Sequence, residues 1–471
     1  MPMWRDALRA NAIYAIGSLA NSAALFVLIP YLIHGLTPEE YGQWSLAEIS
    51  VMLLAALMLA GMDIGVMREY WAEPAAARRG AILGTALIGV AAWSLTVVAG
   101  GGLALAALAP GVAPLTGWLV LGIAAAEALW GLGLNILRIQ ERAGSFVALS
   151  LARLVVFIGL AVGLIAAGRG INGGLAGRLA ATGAGGLALG ALIWRDIDLR
   201  LDRACLRRIL RYGLPLLPTN LALYVLLASD RYVLQHAASL ETVAVYSFAA
   251  KIASVLDLAV TRPFAIDWGS RRFKIAAEAD APRRYARALT IYLGLAVGCA
   301  LLIVALAPAV YRWVAPAAYA SGAGIIPILL LGGLCSGLST PLNVGIMIKN
   351  QTHWLPILGW GAAAVCLGLN AWWIPLHGMA GAAWATAASY AVWSGGIAWI
   401  SQRAYRVPYS RREHGAILLL AGLGYAGLLL IEGTGLSLAA ATGIKCAWIG
   451  ILCAGGGYYA WAVTRTAQRQ A

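Results

Sequence analysis

Apolar residues come along this chain in runs of about 20, the length that crosses a hydrocarbon core about 30 Å thick. Polar breaks delimit fourteen such runs, near residues 9–33, 43–67, 80–108, 115–137, 146–167, 173–194, 213–235, 240–266, 288–311, 322–348, 353–375, 378–401, 415–432 and 437–463. Each predicts a transmembrane helix, because a helix satisfies its own backbone hydrogen bonds where water is absent. The first run follows Arg5 and Arg9. It is too long for the apolar region of a signal peptide and is expected to be a retained span.

Composition sharpens this picture. Of 471 residues, 61% are hydrophobic and 11% charged, against about 45–50% and about 25% in a soluble domain. Mean hydropathy is +0.79. A water-soluble core cannot absorb that much apolar surface, so a soluble enzyme is excluded. The net charge is +14, and in a membrane protein its placement matters more than its sum. With the N-terminus in the cytoplasm, 26 of the 34 Lys and Arg fall on the cytoplasmic side and only Arg169 and Arg312 on the other. That is the positive-inside distribution. It supports both the span count and cytoplasmic N- and C-termini, since one miscounted span would scramble every later loop. The basic loops 195–211 and 267–287 are expected to bind anionic membrane lipids rather than nucleic acid. Cys205, Cys299, Cys335, Cys366, Cys446 and Cys453 show no CxxC or Cys/His spacing and read as small apolar residues, with no metal site.

The chain is also duplicated. The stretch from His34 through Glu39, Trp44 and Ser45 to Ala47 aligns without gaps on that from His236 through Glu241, Tyr246 and Ser247 to Ala249, at a constant offset of 202. Gly170 and Gly173 align with Gly378 and Gly381 at an offset of 208. An even number of spans separates the copies, which makes them parallel repeats related by an axis along the membrane normal. The expected architecture is all-α: a six-helix lobe over 1–200, a second over 201–407, a central cavity between them, and two additional transmembrane helices over 408–471. Such repeats favour alternating access and hence a transporter.

Leu36-Thr-Pro-Glu-Glu-Tyr-Gly-Gln-Trp-Ser, Asp63-Ile-Gly, Asp230-Arg231-Tyr-Val-Leu, Tyr246-Ser-Phe-Ala-Ala-Lys251-Ile and Pro375-Leu-His-Gly378-Met-Ala-Gly-Ala-Ala-Trp-Ala-Thr386 resemble the polysaccharide transporter family. These are the O-antigen or exopolysaccharide repeat-unit flippases of the multidrug/oligosaccharidyl-lipid/polysaccharide exporter superfamily. The resemblance runs to about residue 405. It implies a V-shaped pair of lobes in a bacterial inner membrane. It also implies a cargo of undecaprenyl-pyrophosphate-linked oligosaccharide carried from the cytoplasmic to the periplasmic leaflet, with polysaccharide polymerase and chain-length machinery as candidate partners. Fourteen spans also resemble the related lipid II flippases, but those carry charges in span one, where this chain offers Asn11, Ser18, Asn21 and Ser22.

Six cations lie within spans: Arg153, Arg178, Arg231, Lys251, Arg262 and Lys445. A charge at the bilayer centre costs roughly 2.5–3.5 kcal/mol on insertion scales. Those near span ends, including Arg262, Asp63, Asp230 and Glu432, can snorkel, whereas Lys251 and Glu127 sit near mid-span. One reading makes Arg153, Arg178, Arg231, Lys251 and Arg262 a cationic lining for a pyrophosphate and sugar hydroxyls, with Arg as a bidentate fork and Lys as a point charge. The other pairs them with embedded acids. Lys251 and Asp257 lie six apart, too far to meet on one α-helix, and Asp63 near Arg68 is expected to form a cytoplasmic hinge or a salt bridge rather than a coupling site. Glu48, Glu127 and Asp257 are candidates for coupling to a proton or sodium gradient.

The remaining chemistry is negative. There is no GxxxxGK[ST] phosphate loop, HExxH or GxSxG. A multidrug or other amphiphile antiporter stays open, although a cationic interior suits anions better than cationic drugs. So does a membrane-embedded polymerase or ligase, although such enzymes usually need a sizeable periplasmic loop and every periplasmic connection here is short.

Overall fold

The computed structural model describes residues 26–108, 114–434 and 436–452. Arg5, Arg9, Asn11, Ser18, Asn21, Ser22 and Cys453 lie outside them. The described chain is helical, without strands. Nine helical stretches among these residues are long and apolar enough to cross a membrane, with two shorter apolar helices, Phe26–Gly35 and Leu438–Leu452. The nine reconcile with fourteen expected spans because two of them, Ala143–Asp196 and Trp354–Ala404, run for 54 and 51 residues, twice what one crossing needs. Leu217–Ala237, which carries Asp230 and Arg231, supplies a further helix. Each expected span therefore falls on a helix, wholly or in its described part. The protein is an all-α, multi-pass membrane protein. Leu103, Leu187 and Leu430 stand 74, 78 and 74% exposed, an exposure that acyl chains tolerate and water does not.

Packing divides the chain into two compact units, Met1–Tyr224 and Val225–Ala471. The first contains α1 (Phe26–Gly35), α2 (Pro38–Leu59), α3 (Met62–Ala72), α4 (Ala76–Leu108), α5 (Pro114–Ile139), α6 (Ala143–Leu164), α7 (Gly170–Ile193) and α8 (Arg203–Gly213), and α9 (Leu217–Ala237) begins in it. Helix α5 is central, packed by α2, α4 and α7. Its Ala124, Ala128, Leu132 and Ile136, four apart, are fully buried. The second unit holds the rest of α9, then α10 (Leu240–Ala253), α11 (Arg262–Ile275), α12 (Ala281–Val314), α13 (Ile326–Leu342), α14 (Val344–Ile348), α15 (Trp354–Ala404), α16 (Arg411–Glu432) and α17 (Leu438–Leu452). The last two helices pack on α12 of this unit through Leu428 and Ile449 against Leu293, Val297 and Leu301.

The duplication is visible in the backbone. Thr37 caps α2, accepting a hydrogen bond from the Glu40 amide at 3.2 Å while the Glu40 carboxylate accepts one from the Thr37 amide at 3.0 Å. At the position 202 further on, Ser239 caps α10 and accepts from the Thr242 amide at 3.1 Å. The Nδ1 atoms of His34 and His236 each lie within 2.9 Å of the carbonyl oxygen four residues back. Trp44 and Tyr246 are each 1% exposed.

The second repeated segment works through glycine. Gly170 has φ 52° and ψ −149°, and Gly378 has φ 55° and ψ −130°, a region closed to side chains with a Cβ. A Cβ on Gly381 would stand 2.2 Å from the Trp373 carbonyl oxygen. Eight residues along a straight helix would separate them by about 12 Å, so the chain doubles back at Gly378 and α15 comprises two crossings. Nothing lies within 4 Å of a Cβ placed on Gly378, so its requirement for glycine is purely one of backbone conformation. Gly378→Ala is expected to destabilise the protein by about 1–3 kcal/mol, and Gly170→Ala at least as much, since its Cβ would also meet Glu40. Thermal melting in detergent checks this, and a Gly378→Ala protein that melts with the parent would refute the assignment.

Candidate functional site: a buried charge cluster in each unit

In the first unit three helices converge on one carboxylate. Glu127 and Trp130 lie three apart on α5, Arg178 and Thr182 four apart on α7, and each pair shares a helix face. From α6, Arg153 Nη1 donates to Glu127 Oε1 at 2.8 Å and to Thr182 Oγ1 at 3.2 Å. Arg178 donates to the same Oε1 through Nη2 at 3.3 Å and Nε at 3.4 Å. The three charged side chains are only 17–19% exposed. The Arg153 guanidinium carbon lies 5.0 Å from the Trp130 ring centre, within cation–π range. Gly185 leaves room for both, since a Cβ there would come within 3.0 Å of Trp130 and 3.2 Å of Arg153.

Two guanidinium groups on one carboxylate leave the cluster with a net positive charge. Arg153 Nε is buried without a hydrogen-bond partner, although an unsatisfied buried donor is costly. Two of the five expected lining residues, Arg153 and Arg178, are therefore bound into an ion-pair network. Glu127 neutralises one charge and leaves the other unbalanced within the cluster.

The second unit assembles a cluster around an acid that sequence reasoning set aside as able to snorkel. Asp230 on α9 is 2% exposed. Tyr246 on α10 donates to its Oδ2 at 2.5 Å, and Thr386 on α15 at 3.4 Å. Arg231 reaches its Oδ1 at 3.4 Å, donates to the Leu227 carbonyl at 2.9 Å and to Ser247 Oγ at 3.3 Å, and lies over the Tyr246 ring. Beside it, Asn370 donates to Ser229 Oγ at 3.1 Å while its own Oδ1 is buried with no hydrogen-bond partner. Asp230 does not snorkel because helix packing surrounds it, a property of neighbours that depth along one helix does not reveal. The available signal was Tyr246-Ser247, which occupies the repeat position of the buried Trp44-Ser45.

The other expected residues disperse. Asp257 and Arg262 pair at 2.6 Å with side chains 47 and 56% exposed. They meet across five residues because the chain over Asp257–Thr261 is π-helical, and its wider turn brings i and i+5 onto one face. Lys251 on α10 and Glu48 on α2 are half-buried. Lys445 is buried and pairs with the exposed Glu432 at 3.3 Å. Arg68 lies over the Tyr212 ring at 4.5 Å rather than on Asp63, whose carbonyl accepts from Asn135.

Tyr246→Phe removes the closest donor to a buried carboxylate and is expected to cost about 1–3 kcal/mol. Ser247→Ala, which takes one of several acceptors from Arg231, should cost about 0.5–1 kcal/mol. Melting of the two variants side by side tests the order, and equal losses would place the weight of the cluster elsewhere.

Residues 7–265 match the model of a family described as Polysaccharide biosynthesis protein. No curated protein sequence matches the chain. Among solved structures, the lipid II flippase MurJ in an inward closed conformation aligns with 96% of this chain and 100% of its own, at 12% identity and a TM-score of 0.77. An inward-facing multidrug resistance MATE family transporter of the MOP superfamily aligns with 86% of this chain and 98% of its own, at 17% identity and a TM-score of 0.59. A MATE in the straight conformation covers 88% and 96%, at 16% identity and a TM-score of 0.57. At such identities the likeness is one of fold.

Proposed function

We propose that this chain, which belongs to the polysaccharide biosynthesis protein family, is a flippase. It moves undecaprenyl-pyrophosphate-linked oligosaccharide units from the cytoplasmic to the periplasmic leaflet of a bacterial inner membrane by alternating access. The observation that carries this reading is the Glu127 cluster, in which one carboxylate is shared by two arginines within an apolar lobe. Arginine presents a planar fork matched to phosphate oxygens, and a diphosphate is the most charged part of such a cargo. Arg231, Lys251 and Arg262 extend the cationic set in the second unit. The prenyl tail needs no protein tunnel, because it can stay in lipid while the head crosses. A cationic-drug antiporter calls for the opposite excess of charge.

Coupling to a proton or sodium gradient falls on a carboxylate whose charge state matters. Glu127 is held by two arginines, Asp257 is half-exposed beside Arg262, and Glu48 is half-buried. Asp230 is the stronger candidate, because it is almost wholly buried and its chain neighbour Ser229 accepts from Asn370, whose own Oδ1 is unsatisfied. A hard cation takes oxygen ligands of this kind.

Loss of the protein is expected to stall lipid-linked repeat units on the inner leaflet. Arg153→Ala with Lys251→Ala should lower surface glycan at least tenfold at unchanged protein level. Normal glycan in that double variant would overturn the assignment of the cationic site. Asp230→Asn is expected to abolish the dependence of transport on the ion gradient while leaving lipid-linked substrate binding in place, read by flux in proteoliposomes with and without imposed gradients.

A further inference from the structure

Helix α8 lies outside both charge clusters. It is short, strongly amphipathic and basic, reading Arg-Ala-Cys-Leu-Arg-Arg-Ile-Leu-Arg-Tyr-Gly. Its buried stripe is Cys205, Ile209 and Gly213, four apart, and that stripe is fastened to α3 by backbone contact. A Cβ on Gly61 would stand 2.2 Å from the Gly213 carbonyl oxygen, and one on Gly65 would stand 2.5 Å from that of Ile209. Gly61 and Gly65 form the small-xxx-small spacing that lets helices approach this closely. The preceding segment is held as firmly. Thr85 Oγ1 on α4 donates to the Arg200 carbonyl at 2.9 Å and accepts from the Asp202 amide at 3.1 Å. Asp202 caps α8, accepting from the amides of Ala204 and Cys205.

The face left over is a groove of about 570 Å³ with two adjacent stripes, Arg203, Arg207 and Arg211 beside Leu206, Leu210 and Leu214. Residues four apart rise about 6 Å, so the three guanidinium groups rank along the helix with an apolar strip parallel to them. The charge is unspent. Arg208 on the same helix bonds Glu69 at 2.8 Å, whereas no ion pair among the described residues involves Arg203, Arg207 or Arg211. The apolar strip is open at its end: Leu206 and Leu210 line the groove while partly packed on the core, and Leu214 is 50% exposed and the neighbouring Leu201 48%. A soluble anion would use the arginines and leave the leucines wet. A neutral lipid would use the leucines and leave three positive charges unanswered.

We propose that the α8 groove binds one anionic phospholipid of the cytoplasmic leaflet, its phosphate on Arg203, Arg207 and Arg211 and an acyl chain along Leu206, Leu210 and Leu214. An interfacial helix with a basic face and an apolar face has this orientation in a membrane. The site holds a structural lipid, separate from the buried clusters through which cargo passes.

The test uses the full-length protein in nanodiscs with photoactivatable phosphatidylglycerol. The label is expected on the peptide carrying 203–215. Apparent affinity should fall on the order of a hundredfold in Arg203→Gln/Arg207→Gln/Arg211→Gln, about 1 kcal/mol for each arginine. It should hold in the charge-matched Arg271→Gln/Arg283→Gln/Arg287→Gln. Leu214→Asn should weaken binding with all arginines present, and millimolar glycerol phosphate should not displace the lipid. Equal losses in the two triple variants would mean a diffuse basic field. Displacement by glycerol phosphate would mean an anion site without a lipid. Should a variant fail to fold, the position of the label on the parent protein still decides, and labelling away from α8 overturns the proposal.

Discussion

A charge inside an apolar lobe must be answered at hydrogen-bond distance, and the interior of this protein is arranged around that constraint. The effective cost of stripping water from an ion is several kcal/mol. It is offset only where partners are close and numerous. Glu127 meets it with two arginines, and Arg153 in turn has a threonine and an indole face. Asp230 meets it with a tyrosine, a threonine and its neighbouring arginine. Both clusters join three helices, so the charges also fix how those helices pack. A network that orders the lobe and a site that receives an anion are compatible, because two arginines on one carboxylate leave donors and charge over.

Close backbone approach is the second device. Glycine at 170 and 378 turns the chain back on itself between crossings, and glycine at 61 and 65 seats the amphipathic helix against α3. The first pair recurs in both halves at nearly the offset of the capped helix starts at Thr37 and Ser239. A duplicated ancestor would keep these features for a physical reason: a reversal that needs positive φ and a helix start that needs a hydroxyl leave few alternatives. The charged clusters are not duplicated in the same way. Glu127 and Arg153 occupy one half and Asp230 and Tyr246 the other, so the halves share a scaffold and differ in chemistry.

Membership of a polysaccharide biosynthesis family and the fold shared with MurJ and MATE transporters fit this division of labour. The basic helix α8 belongs to neither cluster.

The number and duplication of the spans were legible in the sequence, because crossing a bilayer constrains runs of 20 residues locally. The arginines and Glu127 were legible as an unresolved charge excess, but their pairing was not. Residues 26 and 51 positions apart meet only once α5, α6 and α7 pack together. Asp230 looked free to reach the surface, and Asp257 was weighed against Lys251, six residues away, and not against Arg262. Burial from neighbouring helices decided the first, and a π-helical turn that no local pattern announces decided the second. Hydropathy and charge act along the chain and can be read there. Partner choice inside a lobe depends on which faces of which helices meet, and only the tertiary structure settles that.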